Sequence, residues 1–318
     1  MTNSFSAIIA IRFSFLKLAG IKIDEKSYPI AALLAVQLSF GSLPVVGKAV
    51  LTVIPAIALV GFRVGITALI LLCFQRFRGN LRLENSGDYW RLALLSLFGV
   101  TINQLLFVGG LSLTKASNTS LLAVTIPIFT LSIGAIIGVE RLRTVKVFGI
   151  ILAAGGVILL IDPRNASFSS QRTLGDLMIV LNSLSYAIYV ASSKDILLRN
   201  GAMKSITWIF MFSAAICVPL GLYSLSSVDI WAVEALIWLF VLYAAVIATT
   251  VPYLSNAWAL ARVNPSTVAV FVYLQPVIGF LMAVVFLGES VGMNFIGAAA
   301  LIFAGVYLVT KKTRPSGN

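Results

Sequence analysis

The sequence contains no histidine, and only two cysteines in 318 residues. Without histidine there is no Ser-His-Asp triad, no Cys-His pair and no HExxH zinc site, and neither a Walker A loop nor a GxGxxG turn occurs. Cys73 and Cys217 each lie inside an apolar run, which argues against a disulfide framework or a thiolate metal site. Acidic residues are scarce as well. There are eleven, each in a loop or near the end of an apolar run, so a buried proton relay through Asp, Glu or His has no candidate. These absences leave no catalytic constellation. Neither an enzyme active site nor a metal or cofactor is expected.

Apolar surface, by contrast, is abundant. Hydrophobic residues make up 59% of the chain and charged residues 11%, with a mean hydropathy of +1.02. A soluble fold of this length could not bury that surplus, which therefore faces lipid. In lipid the backbone must satisfy its own hydrogen bonds, and long unbroken apolar runs do so as helices rather than as alternating barrel strands. The expected fold is an all-α integral membrane protein. A crossing takes about 20 residues, and runs of that length fall at 30–50, 56–75, 90–111, 117–138, 145–162, 174–194, 205–224, 235–256, 266–287 and 292–310, which predicts ten transmembrane helices.

A net charge of +12 would suggest nucleic acid in a soluble chain, but here Lys and Arg occupy short loops between apolar runs. That pattern reports orientation in a bilayer, and no nucleic-acid partner is expected. With the N-terminus inside, 18 of the 23 basic residues collect on the cytoplasmic side, leaving Lys48, Arg63, Lys115, Arg164 and Arg172 on the outer side or in the outer half. One missed span would reverse every later loop. The bias therefore predicts both termini in the cytoplasm and residence in the cytoplasmic (inner) membrane. Within residues 1–28, the stretch Phe5 to Ile21 is apolar but interrupted by Arg12 and Lys17, a poor match to a signal peptide. An interfacial segment, a disordered leader and an extra span stay open as readings of that stretch.

The chain is internally duplicated. A shift of 149 residues aligns 99–140 with 248–289 without a gap, placing Pro127 on Pro276 and Glu140 on Glu289. A shift of 145 places Gln37, Gly41, Pro44 and Lys48 on Asn182, Tyr186, Tyr189 and Ser193. This divides the chain into an N-terminal cytoplasmic or interfacial segment (1–28), a first five-helix repeat (29–162), an external linker (163–173), a second five-helix repeat (174–310) and a cytoplasmic tail (311–318). Five is odd, so the second copy must enter the membrane upside down. Loop charges agree: Arg76, Arg78 and Arg82 follow the second span of the first half, whereas Asp229 and Glu234 follow its counterpart. Two inverted five-helix repeats of this kind characterise secondary transporters.

The duplicated segments GVERLRTVKVFGIILAAGGVILL and LGESVGMNFIGAAALIFAGVYLV, the prolines Pro127 and Pro276, the stretch GDLMIVLNSLSYAIYVASSK and Arg63 after Pro55 resemble the EamA-type members of the drug/metabolite transporter superfamily over about residues 30–310. The resemblance implies export or exchange of metabolites, often amino acids or related compounds, through a central cavity.

Polar residues within the spans are the candidate substrate contacts. Gln37, Gly41, Pro44 and Lys48 step by four, three and four, so they share one helical face, and Asn182, Tyr186 and Tyr189 repeat that face in the second half. The aligned third and eighth spans offer Asn103, Gln104 and Phe107 against Tyr253, Asn256 and Trp258. Tyr273 precedes Pro276, which can free a carbonyl and bend the ninth span. These groups either line a cavity or hydrogen-bond between helices. Arg63, about eight residues into its helix, either snorkels or packs against a carbonyl, or attracts an anion. Glu140 and Glu289 either favour the start of the following helix or take part in coupling. The glycine pairs Gly61/Gly65 and Gly134/Gly138 suit packing within a monomer.

With no carboxylate in the predicted cavity, and with Arg63 and aromatic faces present, the expected solute is a small neutral, zwitterionic or weakly anionic metabolite, moved by uniport or exchange. A non-transporting scaffold or receptor, and a lipid-modifying enzyme, are the rival readings.

Overall fold

The computed structural model describes residues 28–79, 81–114, 119, 122–123, 125–161, 170–278 and 293–310. The N-terminal segment, Lys115, Arg164, Glu289 and the C-terminal tail lie outside the described residues. The described chain is helical: α1 (Tyr28–Leu51), α2 (Ala56–Arg78), α3 (Gly87–Leu113), α4 (Thr125–Ile136), α5 (Thr144–Ile161), α6 (Ser170–Ser192), α7 (Ala202–Leu225), α8 (Ala235–Leu260), α9 (Pro265–Ile278) and α10 (Met293–Thr310). A short helix, Lys194–Asn200, links α6 to α7. Among the described residues α1, α2, α3, α6, α7 and α8 are long and apolar enough to cross a membrane. The other apolar stretches, Thr125–Ile136, Thr144–Gly156, Pro265–Ile278 and Ile296–Thr310, are shorter.

Helix boundaries follow local chemistry. Pro55 sits at the N-cap of α2, and Pro265 opens α9, where its missing N–H costs nothing. Gly79, at φ 134°, ends α2, and Gly201, at φ 80°, separates the linking helix from α7. The sequence runs predict α1, α2, α3, α5, α6, α7, α8 and α10 to within a few residues, the runs 117–138 and 266–287 extend outside the described residues, and no run predicts the linking helix. Nor do they predict two π-helical turns, Leu97–Thr101 in α3 and Val246–Thr250 in α8, which lie 149 residues apart.

Polarity is arranged inside out. Leu38, Leu69, Ile136, Ile151, Leu222 and Leu239 are each more than half exposed, whereas Gln37, Arg63, Thr67, Asn103, Gln104, Asn182 and Asn256 are buried. Apolar outer faces suit lipid, and polar groups face protein because hydrocarbon offers them no partner.

The principal helix pairings are α2 with α7, α5 with α10, α3 and α4 with α6, α8 with α1, and α9 with α4. Exchanging first-half for second-half helices leaves α2–α7, α5–α10 and α4–α9 unchanged and turns α3–α6 into α8–α1. Small residues set the closest crossing. A Cβ on Gly61 would lie 2.9 Å from the Gly221 Cα, so α2 and α7 meet backbone to backbone there.

Candidate functional site

Inward-facing polar groups of both halves converge on a partly open cavity of about 80 Å³. The repeat supplies its walls in pairs: Gln104 and Tyr253, Ala123 and Val272, and Ile126 and Gln275 all line it, and each pair is separated by 149 residues. Gln104 and Tyr253 also meet, with Gln104 Nε2 3.5 Å from the Tyr253 hydroxyl. This contact joins residues that the 149-residue offset makes equivalent, and the cavity takes lining from both halves.

On one side of the cavity α3 and α6 are tied together. Asn182 Nδ2 donates to the Asn103 carbonyl (2.8 Å), and Asn103 Nδ2 lies 3.5 Å from the Asn182 carbonyl. Tyr253 directs its hydroxyl proton at Asn103 Oδ1 (3.1 Å) and the Gly99 carbonyl (3.2 Å). Tyr186 lines the cavity and accepts a bond from Asn256 Nδ2 at 2.7 Å. Phe40, Phe107, Ile126 and Ile179 supply an apolar wall.

Arg63 is the charged member. It is 2% exposed and lines the cavity; its Nε donates to Thr249 Oγ1 at 2.9 Å, and its Nη1 has no hydrogen-bond partner among the described residues. Thr249 gives its own proton to the Ala244 carbonyl (2.7 Å), so a hydroxyl lone pair is held toward Arg63. Its neighbour Thr250 bonds the Ala245 carbonyl and Thr67. Both threonines belong to the π turn of α8, whose wider winding leaves carbonyls for side chains to satisfy.

Of the residues singled out from the sequence, Arg63, Asn103, Gln104, Phe107, Asn182, Tyr186 and Tyr253 line this cavity. Gln37 stands one bond behind, accepting from the lining Gln275 at 2.8 Å, and Asn256 stands behind Tyr186. The others lie elsewhere. Gly41 packs against Ile278 of α9. Lys48 Nζ donates to the Thr114 carbonyl at the end of α3 (3.0 Å). Tyr189 is packed flat on Gly99, and Tyr273 is buried outside the cavity lining. Trp258 carries the Arg262 guanidinium 4.0 Å above its ring, where burial lowers the Arg262 pKa. Pro44 lies in α1, but its side chain is outside the described residues.

Lining residues not singled out include Phe40, Ile179 and Thr119. Phe40 and Ile179 carry no polar signal in an apolar run, whereas Gln275, an amide beside Pro276, is marked in the sequence and lines the cavity.

A second polar cluster lies at the far end of α4 from Thr119. Glu140, which is 7% exposed, accepts the Ser266 backbone N–H at 2.7 Å and a bond from Lys146 Nζ at 2.9 Å; Lys146 also reaches Ser266 Oγ at 3.0 Å. Glu140 therefore caps α9 of the other half rather than the start of the next helix, α5. Both α4 and α9 have residues at or beside the cavity, so this link closes one end of the space between them. At the same end Arg199 Nε donates to Asp88 at 2.9 Å, which holds the Arg199 pKa up.

A model of the EamA-like transporter family matches residues 27–162 and again 173–311. An uncharacterized transporter of Archaeoglobus fulgidus is 25% identical over 248 residues, 76% of this chain and 83% of that protein. The uncharacterized transporter YetK of Bacillus subtilis is 24% identical over 94% of this chain and 92% of its own length. The Protein WALLS ARE THIN 1 of Arabidopsis thaliana is 24% identical over 90% and 83%. A solved structure described as "Crystal structure of protein" has the same fold, with a TM-score of 0.70 at 19% identity over 90% of this chain and 97% of that one.

Proposed function

The chain belongs to the EamA-like transporter family of membrane proteins, and on that footing we propose that it is a secondary transporter moving a small organic metabolite by alternating access between two inverted five-helix repeats. The observation that carries the reading is the cavity walled by the pairs Gln104/Tyr253, Ala123/Val272 and Ile126/Gln275, which an axis relating the two halves would bring together. Rocking one half against the other about such an axis exposes one site to each side in turn. Two matches to the same family model and two π turns at equal spacing support the duplication. Spans at 117–138 and 266–287 complete a count of ten, with both termini in the cytoplasm of an inner-membrane protein. In that orientation Glu140, Lys146 and Ser266 close the cytoplasmic end, and the cavity reaches toward the outer end of α4 at Thr119.

Among the described residues no carboxylate lines the cavity, which favours uniport or exchange without a proton relay. Purified protein in proteoliposomes should give saturable flux and trans-stimulated counterflow of its metabolite; a scaffold or receptor gives neither. Single-cysteine labelling from outside should modify positions near Asp229 and spare those near Arg143. Labelling at Arg143 would overturn the inverted arrangement.

A further inference from the structure

We propose that the cavity takes its solute as a monoanionic carboxylate, and that this carboxylate is the counter-ion of Arg63. The inference rests on the cavity described above and deepens the transport reading by naming a solute class.

A guanidinium withdrawn from water is costly unless it is paired and hydrogen-bonded. Arg63 is 2% exposed, and among the described residues only one of its bonds is to a side chain, the neutral hydroxyl of Thr249. Arg63 lines the site, and its Nη1 is buried with no hydrogen-bond partner among the described residues. The nearby groups that could have balanced the charge are otherwise engaged. Tyr253 aims its proton at the Asn103 and Gly99 oxygens, two acceptors that would repel a phenolate, so it stays neutral. Thr249 gives its proton to the Ala244 carbonyl. The ion pairs among the described residues, Arg91–Asp195, Lys146–Glu140 and Arg199–Asp88, all lie away from the cavity.

The site therefore carries one positive charge and one unused donor. A carboxylate neutralises the first and offers the second an acceptor. A primary amide of the same skeleton leaves the charge uncompensated. An α-amino acid delivers the carboxylate but brings an ammonium that finds no anion among the described lining residues, leaving the buried site at net +1. The apolar wall of Phe40, Phe107, Ile126 and Ile179 accommodates the remaining carbon skeleton.

The test uses a matched series on one skeleton, hexanoate, hexanamide and 2-aminohexanoate, titrated calorimetrically into the full-length protein in lipid nanodiscs. Hexanoate is expected to bind about tenfold or more tighter than either analogue, the worth of one charge-assisted bond. Arg63→Met should abolish that preference, and Arg91→Gln, at an exposed pair, should preserve it. Thr249→Val keeps the charge but frees Nε, so it should weaken hexanoate several-fold, with recovery in Thr249→Ser. Equal or tighter binding of the amide or the amino acid, survival of the preference in Arg63→Met, or binding of none of the three overturns the proposal. Flux measured separately keeps the two readings apart. Hexanoate binding without flux would count against transport and not against the site, whereas saturable flux of 2-aminohexanoate with no preference for the acid would do the reverse.

Discussion

The π turns Leu97–Thr101 and Val246–Thr250 occupy the same place in the two halves and do different chemistry there. In the first half the turn is read through its backbone: Ser185 Oγ donates to the Phe98 carbonyl at 2.7 Å, and Tyr253 to the Gly99 carbonyl. Gly99 lets the Tyr189 ring lie directly on the chain. In the second half the turn satisfies its own carbonyls with Thr249 and Thr250, and turns the hydroxyl lone pairs outward to Arg63 and Thr67. Pro252 follows the second turn and fits its widened winding, but the first half has Asn103 at that place and keeps the turn. Proline is therefore not what makes it. Duplication preserved a backbone shape, and divergence of a few side chains made one copy a hydroxyl cradle for a cation and the other a platform for an aromatic ring.

Exchanging the side chains of the two turns should show how far each is committed to its use. The largest effect is expected at Gly99, where a Cβ would lie 2.6 Å from Tyr189 Cδ2 and 2.7 Å from its Cγ. Gly99→Val should cost about 3 kcal/mol by overpacking, seen as a lower melting temperature and loss of the monodisperse peak in detergent. Unchanged melting would mean that Tyr189 is free to leave. Next comes Thr249→Val, which strands Arg63 Nε; about 2 kcal/mol is expected, against less than about 1 kcal/mol for Thr249→Ser. Similar losses in the two variants would remove the hydroxyl from the account.

Glu140→Gln is expected to cost about 1 kcal/mol, because the amide oxygen still accepts from Ser266 while the attraction to Lys146 is lost. Its clearer readout is conformational: cysteines placed near the Glu140–Ser266 link between α4 and α9 should become more reactive, and unaltered reactivity would show that the link does not hold that end closed. Ala248→Gly, at the position equivalent to Gly99, should be mildest, at or below about 1 kcal/mol from helix propensity. A loss as large as that of Gly99→Val would erase the asymmetry between the turns.

The helices and much of the cavity lining were legible in the sequence for one reason: in lipid, polarity marks the interior. Gln104, Asn103, Asn182, Tyr186, Tyr253 and Arg63 stand out as polar groups in apolar runs, and all line the cavity. The same rule over-selects near helix ends. Lys48 and Trp258 are equally conspicuous, yet Lys48 bonds a helix-end carbonyl and Trp258 stacks under Arg262. It also misses Phe40 and Ile179, whose apolar side chains are indistinguishable from lipid-facing ones until the neighbouring helices are in place.

Composition and periodicity alone determined that this chain is helical and membrane-embedded, and the 149-residue offset exposed its duplication, because hydrophobic surplus and self-similarity are properties of the linear chain. Only the tertiary structure decided that Glu140 caps a helix of the other half and that Thr249 spends its proton on Ala244 and so presents a lone pair to Arg63. The offset had already paired Gln104 with Tyr253; the fold decided that the two meet across a cavity. Contacts between residues 126, 186 and 149 positions apart depend on how the helices cross, and hydropathy does not encode those crossings.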